Sequence, residues 1–314
     1  MKNKIDISVI IPVFNAQDAI VPLVAKLLSE KTASIEIIVV NDGSTDATEA
    51  VLGTLDDERL IVIGQNNQGV YAARNAALAA HRGEWVIFLD ADDQVEDHFL
   101  RERFAIACRA QADVVIFNGW HGDSAHPVHH KQPYGKMLSG WQWINHCVNQ
   151  KEWPHYLWLQ MVRSSYIQKN TLRFQAGKSH KDIVWTLHLA AGNGQFYFAD
   201  RKDYVYINNP SSITHRHDYY DVRAASYIDV IAEIVAISAK PQYRDIKNAL
   251  ARHALVESRH FLGLYRRKVS NRQALRARFR SRIQLYRLVP AIRTMSDVFF
   301  LIKLAYNIYR QALR

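Results

Sequence analysis

The sequence predicts an α/β fold, with a doubly wound, mostly parallel sheet followed by a helical, basic C-terminal extension. Three observations carry this. Over the first third of the 314 residues short β-branched runs alternate with helical patterns, those runs are continuously apolar, and charge divides sharply along the chain. Continuous apolar strands separated by helices suit a parallel sheet covered on both faces. Residues 244–314 hold 17 Lys and Arg against 3 Asp and Glu, which exceeds the net +10 of the whole chain and leaves the body mildly acidic.

The first strand is expected over 7–11, ending at Pro12, with a helix over 19–28 behind it. A second strand over 35–40 ends at Asn41-Asp42-Gly43. The helix after it, over 46–55, has Asp46 followed three residues later by Glu49, which suits an N-terminal cap. A strand over 60–63, a helix over 70–81 and a strand over 86–89 complete the series. Later strands are expected over 114–117, 195–199 and 205–208, with a polar, Pro-containing loop carrying His126, His129 and His130 read as surface. From Tyr219 the pattern is helical, so the chain is divided into 1–218 and 219–314.

Composition narrows the function classes. Hydrophobic residues at 48% and charged residues at 22% describe an ordinary globular chain and exclude disordered and fibrous classes. Cys108 and Cys147 lie in no CxxC or metal-ligand spacing, so neither a disulfide framework nor a zinc finger is expected. Residues 1–6 lack a signal-peptide pattern and no run of about 18 apolar residues occurs, so a cytoplasmic location without a spanning helix is expected.

Open parallel sheets bind ligands beyond the carboxyl ends of their strands. Each early strand has polar residues there: Asn15, Asp42, the Asn66-Asn67-Gln68 run, and Asp90-Ala91-Asp92-Asp93. The loop Pro12-Val13-Phe14-Asn15-Ala16 contains no glycine, and neither GxGxxG nor GxxxxGK[ST] occurs, so a diphosphate cradled on a glycine turn is not expected. Asp90 and Asp92 end a buried strand, where uncompensated carboxylates are costly. Oxygen-only ligands favour Mg²⁺ or Mn²⁺, ions that complete their shells with phosphate oxygens. A nucleotide diphosphate held by metal instead of by glycines fits both patterns. Alone, the DxD triplet fits a solvated acidic turn equally well. The ordered set IIPVFN, VNDGSTD, NxGxxxARN and FLDADD is far more specific.

With these motifs the chain resembles the family 2 glycosyltransferases, inverting enzymes of GT-A fold. The resemblance is specific over about 7–93, looser to about 218, and points toward bacterial enzymes of lipopolysaccharide core or other surface polysaccharide. Residues 158–185, with Arg163, the Phe174-Gln175-Ala176-Gly177 turn and Lys181-Asp182-Ile183-Val184-Trp185, suggest that subgroup. The resemblance implies a donor-binding set of Pro12, Phe14, Asn15, Asp42, Arg74, Asp90 and Ala91. In it Phe14 and Asn15 line the nucleoside pocket, Asp42 accepts from uracil, and Arg74 braces the donor side. Asp92 is implied as metal ligand, with Asp90 touching ribose or metal; His215 is read as part of a solvated loop, with a late return to the metal or diphosphate as the alternative. The general base falls on Asp182, although Lys181 stands where the family has an acid. Asp182 as a simple helix cap is the alternative.

The implied activity is metal-dependent transfer of one sugar from a UDP-sugar to a bacterial glycan or glycolipid. Processive relatives carry QxxRW and membrane spans, and this chain has neither. Two other classes stay open: a noncatalytic sugar-binding module, and a nucleic-acid binder using the basic tail, which the acidic body disfavours. Trp153 and Trp158 are read as packing residues, with sugar stacking as the alternative. In the tail Val298, Leu301, Ile302, Ala305 and Tyr309 share one helical face with Lys303, Asn307 and Arg310 elsewhere. That pattern suits attachment to an anionic inner-leaflet surface, with packing of this face on the body as the alternative.

Overall fold

A computed structural model describes residues 4–31, 33–122, 126–207 and 218–310. The first half-sheet is built from β1 (Ile7–Val13), β2 (Ile35–Asn41), β3 (Leu60–Gly64) and β4 (Trp85–Phe88). Helices α1 (Ile20–Leu28), α2 (Thr48–Leu52) and α3 (Val70–Ala80) connect them. The strands pair in parallel as β3-β2-β1-β4, and every residue of β1, β2 and β4 is buried. Pro12 fits in this central strand for a specific reason. Val13 gives its carbonyl to the Asp42 N–H and Ile10 gives its carbonyl to the Leu89 N–H, so even-numbered residues of β1 face β4. β4 ends at Phe88 opposite Ile10, so no partner needs the N–H that Pro12 lacks.

The rest of the sheet is mixed. It contains β5 (Gln94–Val95), β6 (Val114–His121), β7 (Met137–Ser139), β8 (Gln160–Arg163) and β9 (Gln195–Tyr206). Between them lie α4 (Phe99–Ala110), α5 (Gly140–Gln150), α6 (Ser164–Lys169) and α7 (Lys181–Ala191). β8 runs antiparallel between β4 and β6, whereas β6 and β9 are parallel. β9 is one strand where the sequence suggests two, because its polar middle is neutralised within the fold. Arg103 of α4 binds Asp203 at 2.6 Å, both fully buried, and Lys202 pairs with Asp200. Two irregularities in the β6 register carry β9 past this stretch.

Side chains alternate between two cores. Ile10, Ile38, Val40 and Phe88 face α3, α5 and α7, while Val9, Ile11, Ile37 and Ile87 face α1 and α4. The C-terminal helices α8 (Tyr219–Ser238), α9 (Lys247–Arg267), α10 (Arg272–Arg282) and α11 (Met295–Tyr309) bury their apolar faces in the first of these cores.

Three local expectations change. α2 starts at Thr48, not at Asp46, and Asp46 accepts the Thr48 N–H at 3.0 Å from one position ahead of the cap. His129 is buried, held through its backbone by Asn118, while His126 and His130 stay exposed. On α11 Leu301 and Tyr309 pack against the body and Val298 and Ala305 are half-buried, so of the expected membrane face only Ile302 is exposed.

Candidate active site

The loops after β1 and β2 are zipped together at the crevice. Asn15 adopts a left-handed φ of 53° and its side-chain oxygen accepts the Thr45 N–H at 2.8 Å, while its own N–H donates to Ser44 Oγ at 3.0 Å. Ala16 and Thr48, and Gln17 and Ala47, add two further bonds. Gly43 makes the turn at φ +72°, where a Cβ would come within 2.8 Å of the Asn67 nitrogen. Phe14, held at the rim by this zipper, is 50% exposed although it directly follows a fully buried strand.

Asp42 is buried and accepts three hydrogen bonds: from Gln65 Nε2 at 2.7 Å, from Gln68 N at 2.8 Å and from Gly69 N at 2.8 Å. The last two donors belong to the N-terminal end of α3, so Asp42 fixes the start of that helix. A carboxylate has about four acceptor positions, and one remains.

From one face of α3 two side chains project into the crevice. Arg74, 6% exposed, donates to Asp90 Oδ1 at 2.7 Å, with its guanidinium packed near the Tyr71 and Phe174 rings. Burial raises the Asp90 pKa above the ordinary carboxylate value; Arg74 pulls against that, and the negative charges of Asp92 and Asp182 add to it. Asp92 is exposed next to it. Asp93 turns away, accepting from Tyr204 Oη at 2.6 Å and from Ile207 N at 2.8 Å, and burial together with the Asp90 charge pushes its pKa up to about 8. Asp93 therefore ties the end of β9 to the DxD turn.

One turn ahead of Arg74, Tyr71 accepts the Lys181 N–H at 3.0 Å, and its hydroxyl lies 3.5 Å from Asp182 Oδ1. His155 Nε2 stands 3.9 Å from the other Asp182 oxygen. Asp182 occupies the first turn of α7 without a capping bond among the described contacts of that terminus. Lys181, the residue that departs from the expected acid, is buried and reaches Asp229 of α8 at 3.2 Å. Gly177 leaves room for this lysine, since a Cβ there would collide with its side chain.

Phe14, Asn15, Asp42, Arg74, Asp90, Asp92 and Asp182 thus gather at the carboxyl ends of the parallel strands. Pro12 and Ala91 are buried in the sheet end itself. His215 lies outside the described residues. Arg163 is at the opposite end of the sheet, bound to Glu84 and over the Trp85 ring. Tyr71 and His155 were not anticipated. Tyr71 sits inside the NxGxxxARN motif at helical spacing from Arg74, a signal that was available; His155 comes from an irregular segment with no periodicity. Among the described residues no three His, Cys, Asp or Glu side chains converge as a metal cage.

Most of this crevice falls within a family match, and Asp182 lies beyond its end. Residues 8–159 match the model of glycosyl transferase family 2. The uncharacterized glycosyltransferase YibD of Escherichia coli strain K12 is 28% identical over 219 residues, which cover 67% of this chain and 64% of YibD. WfaP of Escherichia coli, a UDP-Glc:alpha-D-GlcNAc-diphosphoundecaprenol beta-1,3-glucosyltransferase, is 40% identical over 88 residues, 28% of this chain and 35% of WfaP. The chain thus spans less than two thirds of either relative. Residues 1–349 of Staphylococcus aureus TarS, in complex with UDP-GlcNAc, superpose with a TM-score of 0.73 at 19% identity. That match covers 98% of this chain and 90% of the TarS fragment, and it establishes the shared GT-A fold.

Proposed function

We propose that the chain is an inverting, non-processive glycosyltransferase that moves one sugar from a UDP-sugar to a bacterial glycan or glycolipid acceptor. The observation that carries this reading is α3, whose Tyr71 and Arg74, one turn apart on the same face, meet Asp182 and Asp90, so that two carboxylates from distant segments come to one crevice. The exposed Phe14 ring suits stacking on a nucleobase, and the remaining acceptor position of Asp42 suits the uracil N3–H. UDP-sugars are the donors named for WfaP and bound in the TarS complex.

Asp182 takes the proton from the attacking acceptor hydroxyl as its oxygen bonds to the anomeric carbon. The bond to the UDP oxygen breaks on the opposite face, so the configuration inverts and the electron pair leaves with the diphosphate. Tyr71 holds the α7 start that carries Asp182. Asp90 and Asp92 fit a hard divalent cation, Mn²⁺ or Mg²⁺. Both offer oxygen, and Asp92 is exposed beside Asp90. Such a cation, when bound, neutralises charge on the departing diphosphate.

The lipopolysaccharide core is the acceptor the sequence resemblance favours, and a lipid-linked acceptor like that of WfaP also suits the tail. α11 is apolar on two opposite faces. Phe300, Leu304 and Ile308 pack on the body, whereas Met295, Phe299, Ile302 and Tyr306 are exposed and recur at helical spacing. Tyr286 and Val289 of the preceding turn are exposed as well, and Arg287, Arg293 and Lys303 are exposed in the same stretch of sequence. Among the described residues no helix is long and apolar enough to cross a membrane. An interfacial contact with anionic lipid, at the inner leaflet, suits this pattern. In this reading 1–218 is the transferase unit and 219–314 the attachment region.

The test is UDP release from a panel of UDP-sugars, with Mn²⁺ or with chelator, in wild type and Asp92→Ala. Release from one sugar that needs metal and is abolished by the substitution supports the reading. Absence of UDP binding by calorimetry overturns it.

A further inference from the structure

Lys181 puts a positive charge in a buried position directly before the proposed base. A buried ammonium needs a fixed counter-charge. Asp229 of α8 supplies it, with Oδ2 at 3.2 Å from Lys181 Nζ. The other oxygen of Asp229 is taken from α10, where Arg278 reaches Oδ1 at 2.8 Å and Arg282 reaches it at 3.3 Å. Burial opposes ionisation of Asp229, but Arg278 and Lys181 outweigh it and hold its pKa below the ordinary carboxylate value. The two oxygens of one carboxylate thus face cations from two different helices. That fixes the rotation of the Asp229 side chain, and with it the place of the Lys181 ammonium.

The first turn of α7 depends on such ties. His180, at the N-cap, has a left-handed φ of 57° and makes no side-chain capping bond among the described contacts. A helix start without a cap frays unless other groups hold it. Here the Lys181 N–H donates to Tyr71 Oη of α3 at 3.0 Å, and the Lys181 side chain is the part held by α8. The segments on both sides are held by the same two helices. Asn75 of α3 donates to the Phe174 carbonyl at 2.8 Å and accepts the Phe174 N–H at 2.9 Å, and farther along α7 His188 meets Glu233 of α8 at 3.0 Å.

Building on the glycosyltransferase reading, we infer that Asp229 is a positioning residue for the base: acting through Lys181, it holds the uncapped first turn of α7 so that Asp182 keeps its place beside Tyr71 and His155. The region after residue 218 then serves the reaction as well as attachment, since α8 and α10 together set the place of the proton acceptor.

The test compares the full chain as wild type, Lys181→Met, Asp229→Asn and the double variant. UDP binding is measured by calorimetry, and UDP release is followed with a panel of UDP-sugars, water serving as the acceptor. Hydrogen exchange is followed in the backbone amides of residues 178–185. In Lys181→Met a long side chain remains and Asp229 keeps both arginines, so the melting temperature should change little. Exchange over 178–185 should rise about tenfold, the effect of losing one charge-assisted hydrogen bond. Displacement of the base should lower kcat about tenfold with the donor KM unchanged. Asp229→Asn should show the same split, and the double variant should be no slower than the slower single variant, because the two residues act as one unit. Asp297→Asn, whose arginine partners Arg252 and Arg259 lie on α9, should change neither the exchange of 178–185 nor kcat.

Wild-type turnover that is unchanged in Lys181→Met and Asp229→Asn refutes the positioning and leaves the transferase reading standing, as does a donor KM that rises as far as kcat falls. If UDP binds to wild type without release, the exchange decides, and unchanged protection over 178–185 refutes the positioning. If wild type does not bind UDP, the transferase reading falls and the assignment of a base falls with it.

Discussion

Tyr71→Phe separates positioning from chemistry at the proposed base. The hydroxyl does two things of unequal strength. It accepts the Lys181 N–H at 3.0 Å, a normal bond in a buried setting, and it approaches Asp182 at 3.5 Å, the outer limit of hydrogen bonding. The first effect should dominate. Removing the hydroxyl leaves a buried N–H unpaired at the start of α7, at a cost of about 1–3 kcal/mol of stability, and lets the first turn carrying Asp182 drift. We expect urea unfolding to report that loss and kcat to fall about tenfold, with the KM for the UDP-sugar unchanged. Asp182→Asn should instead leave stability nearly intact and lower kcat by about 10²–10⁴, the usual worth of a general base. The double variant should be no slower than Asp182→Asn, because Tyr71 acts only through that carboxylate. Fully additive losses of kcat, or a rise in donor KM as large as the fall in kcat, would refute the positioning role.

Three further outcomes follow from packing and charge. Arg103→Met breaks a fully buried ion pair, but Asp203 keeps Arg201 at 2.9 Å, so the expected loss is about 3 kcal/mol, the lower end for such pairs, read by chemical denaturation. Asp297, in the first turn of α11, is buried. Burial opposes its ionisation, yet Arg252, Arg259 and the Arg293 N–H outweigh that and hold its pKa well below the ordinary value. Its contribution is therefore present above the unfolded-state pKa and lost as pH falls. Asp297→Asn should cost about 2 kcal/mol at neutral pH, discounted for the partly exposed arginines, with the difference shrinking below about pH 4. Phe299→Glu combined with Ile302→Glu, both on the exposed face, should leave the melting temperature unchanged. The pair should abolish flotation with anionic vesicles, and retained flotation would end the interfacial reading.

The parallel half of the fold was legible because its strands are buried on both faces and so appear as unbroken apolar runs. The crevice was legible with it, since Asn15, Asp42 and Asp90 sit where such strands stop. β8 was not legible. Its four residues begin with Gln160 and end with Arg163, and it tolerates the buried amide only because Trp185 donates to Gln160 at 3.0 Å and Thr186 accepts from it at 2.8 Å, partners on a distant helix. β9 read as two strands for the same reason, its charged middle being neutralised from α4. On α11, periodicity located an amphipathic helix but not which of its apolar faces the body covers. Trp153 and Trp158 looked alike in sequence; Trp158 stacks on Tyr204 at 4.2 Å, whereas Trp153 lies against His253 of α9 at 4.1 Å.

Asp42 also bears on the missing glycine loop. The amino end of a helix is where α/β proteins usually neutralise a phosphate, and here α3 has spent that end on a side chain of its own, with Gln68 and Gly69 both donating to Asp42. An incoming diphosphate would meet a negative charge at that pole instead of a vacant one. In the proposed reading, compensation for its charge comes from Arg74 and from a cation that Asp90 and Asp92 would hold. On that reading a guanidinium and a cation, and not a helix terminus, meet the phosphate charge.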